Sequence, residues 1–214
     1  MQLSDMRSRV AEIIQDTSFS DARINAEINA GIRDTAARVF LPSLKRIGTI
    51  TTALETNTTT LSSLTNSTYL KVLRVRNSLG NTLPIIPTIE DFFDRYSNCD
   101  LTSEGAVESV VIEATTMWYY KVPSSAETLT LLYYSGPTEL SLDTSEPTDF
   151  PTPLHEELFV NFAAWKIWSL IEDGIDGAKI NTSFYERRYN DAVSKLRSWI
   201  GGRTGHYISS IWSH

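Results

Sequence analysis

Apolar residues at Met6, Val10 and Ile13/Ile14 recur at helical spacing, so the stretch Leu3 to Ile14 predicts a helix with one apolar face. Ser4 reads as its N-cap, and Asp5 favours the positive end of the helix dipole. A second run, Asp21 to Val39, places Ile24, Ile28, Ile32, Ala36 and Val39/Phe40 on one stripe, with Ser20 as cap and Phe19 packing on Ile24 as a staple. Pro42 ends it. The short turn between the two runs predicts an antiparallel helical hairpin.

Beyond Pro42 the period shortens to two and β-branched residues dominate. Strands are expected near 47–53 and 58–62, joined as a hairpin by a turn near Asn57, and over "YLKVLRVRN", 82–86, 107–114, 116–122 and 128–134. Pro84, Pro87 and Pro123 mark edges or strand ends. "TIEDFFDRYS" reads as a brief helix capped by Thr88. Residues 136–153 form a turn-rich connector without a period.

Helical spacing then returns. Thr152 can cap, Pro153 suits the first helical position, and Glu156/Glu157 fall in the first turn. Leu158, Phe162, Trp165 and Trp168 or Ile171 form an apolar face that Gly174 ends. A last helix is expected from Ser183, where Ser183 and Glu186 make a capping box, with Tyr185, Tyr189, Ala192, Leu196 and Trp199 on one face. The expected fold class is α+β: N- and C-terminal helical hairpins packed as an α-helical bundle, an inserted mostly antiparallel β domain, and an extended C-terminal tail. The expected segments are 1–44, 45–135 with the helix near 88–96, 136–153, 154–200 and 201–214. Ile24, Ile28, Ile32, Leu158, Phe162, Trp165, Tyr189, Leu196 and Trp199 are the expected bundle core.

Charge refines this picture. The net charge of −7 over 214 residues is concentrated between 49 and 153, where thirteen Asp/Glu face five Lys/Arg. No basic run marks a nucleic-acid footprint, so DNA near this protein should be loosely surrounded rather than gripped. The single Cys99 allows no internal disulfide. Asp5, Arg7, Arg9 and Glu12 interrupt what a signal peptide would need, and no stretch reads as a membrane span.

Candidate chemistry is sparse. "HEELF" at 155–159 begins like a zinc-protease motif, but Phe159 stands where the second histidine is required, so a solvated helix start is the expectation for His155. Cys99 has no neighbouring histidine, and no Gly-x-Ser-x-Gly or Walker-type motif occurs. Glu90/Asp91 and Glu172/Asp173 are adjacent rather than three or four apart, and Asp173/Asp176 lack further ligands. No catalytic residue, cofactor or metal is therefore expected. The tail "RTGHYISSIWSH" is anomalous: too short for a core, it carries Tyr207, Ile208, Ile211 and Trp212. It either folds back on its own protomer or docks on another subunit or partner, where aromatic anchors are effective.

The segments "LSDMRSRVAEIIQDTSFSDARINAEINAGIRDTAARVFLPSL", "GTITT", "YLKVLRVRN", "LLYYSGPTELSLDTSEPTDFPTPLHEELFVNFAAWKIW" and "FYERRYNDAVSKL" together resemble the head-to-tail adaptor (neck or connector) proteins of tailed bacteriophages. "LSSLTNSTY" departs from that pattern in lacking a Pro and an acidic residue before Tyr69. The resemblance implies a non-enzymatic virion protein of the neck, made in the bacterial host cytoplasm. It implies a ring, commonly of twelve copies, beneath the portal, with a tail or nozzle protein below. DNA passes through without sequence-specific contact, and no membrane is involved. Residues 201–214 would then reach along the portal. The other readings are a stand-alone carbohydrate- or host-binding β module on a helical mount, or a hydrolase whose polar groups converge only in three dimensions.

Overall fold

The computed structural model describes residues 1–64, 69–96, 103–173 and 179–204. The chain is a mixed α+β protein that divides into two compact units, one of residues 1–43 and 137–214 and one of residues 44–136.

The first unit is helical. Helices α1 (Leu3–Ile14) and α2 (Asp21–Arg38) pack on each other, and both pack on α4 (Asn161–Ile171), which in turn packs on α5 (Ile180–Thr204). Helix α1 is capped two residues earlier than expected. Gln2 and Asp5 form the capping box, because Ser4 already lies inside the helix and its amide is taken by the Asp143 carbonyl. Ser20 caps α2 through the Arg23 amide. Ile24, Ile28, Ile32, Leu158, Phe162, Tyr189 and Leu196 are all buried. Gly31 permits a close approach of α2 to α4: a β-carbon there would lie 2.9 Å from the Phe162 ring.

Helix α4 is entered through a 3-10 turn (Thr152–Leu154) and a π-helical stretch (Glu156–Val160). Leu158, Phe159, Val160, Phe162, Ala163, Ala164 and Ile167 are all buried, so apolar side chains fill most of its circumference rather than one stripe. Helix α5 starts at Ile180, before the expected Ser183/Glu186 box. Its first amides are met instead by Glu172, whose two carboxylate oxygens accept from the Asn181 and Thr182 amides at 3.0 Å each. The connector is tied down although it has no period. The Asn29 side chain donates to the Leu140 carbonyl (3.0 Å) and accepts from its amide (2.8 Å), and Arg7 pairs with Asp143 at 2.9 Å.

The second unit is a pair of four-stranded sheets. The first has the order β1 (Lys45–Thr51), β8 (Thr128–Ser135), β3 (Tyr69–Arg76), β4 (Thr82–Leu83). The second has the order β2 (Thr58–Thr60), β7 (Thr116–Tyr120), β6 (Ser109–Glu113), β5 (Ile85–Ile86). Pairing is antiparallel except between β5 and β6. The expected hairpin of β1 with β2 does not form, because the two strands join different sheets. Pro84 likewise splits the expected strand 82–86 into two edge strands, one in each sheet. Ile50, Val75, Leu129 and Leu131 from the first sheet pack on Val110, Met117 and Tyr119 from the second. Helix α3 (Ile89–Arg95), capped by Thr88 through the Asp91 amide at 3.1 Å, covers the other side of the second sheet with Phe92 against Ile86 and Val111.

Candidate functional site

A groove of the helical unit, about 590 Å³, is walled by the chain that follows α2 (Leu41, Pro42, Ser43), by residues 148–153, and by Trp199 and Ile200 near the end of α5. Prolines dictate its wall. Pro147, Pro151 and Pro153 forbid a continuous helix through the segment and leave it as successive tight turns, with the Phe150 amide donating to the Pro147 carbonyl at 3.0 Å and the Leu154 amide to the Pro151 carbonyl at 2.9 Å. Phe150 turns inward and meets the Phe159 ring edge-on at 5.0 Å, while the Ser43 hydroxyl donates to the Asp149 carbonyl at 2.6 Å.

His155 holds this wall from beneath. It is 1% exposed rather than solvated as its polar neighbours suggested, because the connector folds over it. Its Nε2 lies 3.1 Å from the Phe150 carbonyl and its Nδ1 3.2 Å from the Met1 amine. A carbonyl can only accept, so Nε2 carries the proton and Nδ1 accepts from the ammonium. Burial pushes the imidazole below its ordinary pKa. The Phe150 hydrogen bond opposes this, and the Met1 ammonium adds to it. Both ring nitrogens are thus engaged in holding structure. Among the described residues no group of His, Cys, Asp and Glu is placed to hold a metal ion, and no helix is long and apolar enough to cross a membrane.

Trp199 is a correction to the expected core: it is 39% exposed and lies on the groove wall. The core narrows toward the end of α5, where Leu196 is the last fully buried side chain among the described residues. Trp165 is half-buried. It stacks on Tyr189, with centroids 6.1 Å apart, beneath the Lys166 ammonium at 3.8 Å. Tyr189 is the polar centre of the helical interior. Its hydroxyl donates to Asp34 at 2.6 Å and lies 3.1 Å from the Thr35 hydroxyl, and burial followed by the Asp34 bond pushes its pKa up. Arg38 completes the group, pairing with Asp34 at 2.7 Å and lying over the Tyr189 ring.

The expected tail anchors Tyr207, Ile208, Ile211 and Trp212 lie outside the described residues, as do Cys99, Asp176, His206 and His214. The sequence reading missed Leu41, Pro42 and Phe150 as groove-lining residues, the first and last of them buried. The usable signal was Phe150 set between closely spaced prolines, which neither a helix nor a sheet interior could accommodate.

In the second unit Glu127 organises the loops. It is buried, and its carboxylate accepts from the Ser78 amide (3.1 Å), the Ser78 hydroxyl (2.9 Å) and the Val107 amide (3.0 Å). Its own amide donates to the Thr52 hydroxyl at 2.9 Å. This constellation is fully hydrogen-bonded and joins loops from both sheets.

These features define the class as a two-unit α+β protein whose polar centres are spent on holding the fold. The chain belongs to the SU10 adaptor protein family, whose model matches residues 1–207. It is therefore a phage adaptor, a structural protein of the virion from a family that is not enzymatic. A search of curated proteins gave no match.

Proposed function

We propose that the chain is a head-tail connector: copies assemble as a ring between the portal and the tail, around the channel through which DNA leaves the capsid. The observation that carries this reading is the family match over residues 1–207. In this reading the two helical segments, 1–44 and 154–200, pack as the bundle that forms the ring body, with the β domain inserted between them. The chain from residue 201 onward anchors the ring on the portal through Tyr207, Ile208, Ile211 and Trp212. The net charge of −7 suits a channel through which a polyanion must slide. A carbohydrate-binding module would be expected to use the β unit alone and to leave the helices dispensable.

Pull-down of the full chain with portal rings of the same phage tests the anchor. Deletion of 203–214 should leave a folded protomer that no longer binds, and Trp212→Ala should weaken binding by about 2 kcal/mol or more. Unchanged binding of the deleted chain would refute the anchor.

A further inference from the structure

The β unit carries opposite charge on its two outer faces. The pairing register puts Ile47 and Arg74 on either side of Leu132, and Thr49 and Arg76 on either side of Thr130. The neighbouring row sets Lys45 and Lys71 about Tyr134. Inward-facing Leu129, Leu131 and Val75 alternate with these rows, so the cations share the face turned away from the sandwich core. Arg74 and Arg76 have no ion pair among the described residues, and Ile47 between them and Lys45 is 74% exposed. This basic face is invisible as a run in the sequence, because Lys45 and Arg74 stand on strands far apart in the chain.

The opposite face is α3 over the second sheet. Glu90, Asp91 and Asp94 are exposed there without ion pairs among the described residues, beside one exposed cation, Arg95. Phe93 is 42% exposed among them, its ring edge-on to Trp118 at 5.7 Å. Each face thus has a well-exposed apolar side chain beside its charges, Ile47 on one and Phe93 on the other, with Leu73, 37% exposed, at the β3 irregularity, and the signs are complementary.

Building on the ring reading above, we propose that the basic face of the first sheet docks on the acidic α3 face of a second copy of this chain. Ile47 and Phe93 are the apolar centres and Arg74/Arg76 against Glu90/Asp94 the charged rim. Because the two faces differ and lie on opposite sides of one unit, the contact is heterologous and repeats head to tail, which is the geometry a closed ring requires. Exposed rim charges are screened within about 10 Å at 0.1 M salt, so the contact weakens as salt rises.

The test is particle mass of the full chain, alone and with portal rings, at low and high salt, for Arg74→Glu/Arg76→Glu, for Glu90→Arg/Asp94→Arg, and for their equimolar mixture. Each double variant should lose at least tenfold in apparent association, and the mixture should recover it by alternating the two kinds of chain. Circular dichroism confirms that each variant is folded. If both variants assemble like the unaltered chain, this interface is wrong while the ring reading stands; if the unaltered chain assembles under no condition, the ring reading fails with it. Retention of a short DNA duplex that is lost in Arg74→Glu/Arg76→Glu without any change in assembly would overturn the proposal in favour of a polyanion surface.

Discussion

Gly31→Ala in α2 tests the helical packing where α2 closes on Phe162 of α4. In an open helix this change would stabilise by about 1 kcal/mol, since glycine has the greater entropy to lose. Here the added methyl would lie 2.9 Å from Cδ1, 3.0 Å from Cγ and 3.1 Å from Cβ of Phe162. Cβ and Cγ lie close to the α4 backbone, so a ring flip cannot relieve the clash and the helices must part. Overpacking of this kind costs about 1–3 kcal/mol, which cancels or outweighs the propensity gain and leaves a net loss of up to about 2 kcal/mol. Urea unfolding followed by far-ultraviolet circular dichroism measures it. Phe162→Ala alone should cost about 3–5 kcal/mol, and in that background Gly31→Ala should become neutral or stabilising. A stabilising Gly31→Ala in the intact chain would refute the close approach of α2 and α4.

Two further outcomes are expected. Glu127→Ala strands the Ser78 and Val107 amides at about 1–3 kcal/mol each, so the β unit should lose about 3 kcal/mol or more in chemical unfolding, with Glu127→Gln intermediate; a loss under about 1 kcal/mol would mean that water serves those amides as well. The thermal midpoint should fall with acid in two stages. His155 has a folded pKa below the ordinary 6.5, so the unfolded chain takes up its proton first and stability is lost from there downward. For Glu172, burial raises the pKa, but hydrogen bonds from Thr182 and Asn181 outweigh it and bring it below the ordinary 4.5; its contribution is full above 4.5 and is lost as pH drops through the folded value. His155→Gln should abolish the first stage only, and a first stage that survives the substitution would clear His155 of the role.

The helices were legible because α1 and α2 repeat their apolar residues every three or four positions, and that repeat has few other solutions. Strand positions were legible from alternation, but pairing was not. Lys45 meets Tyr134 across most of the β unit, and nothing local distinguishes that partner from the nearer β2. The same non-locality hid Glu172 as the cap of α5, the basic sheet face, and the burial of His155, whose polar sequence neighbours point outward while the connector closes over it. Trp199 misled for a different reason: helical periodicity reports which face a residue lies on, not where along the helix the core runs out.

The mass of particles formed by the full chain, alone and after addition of portal rings, bears most directly on its role. Ring-sized assemblies, free or bound to the portal, are the predicted result. A chain that stays a monomer at every concentration and leaves the portal's mass unchanged would contradict it.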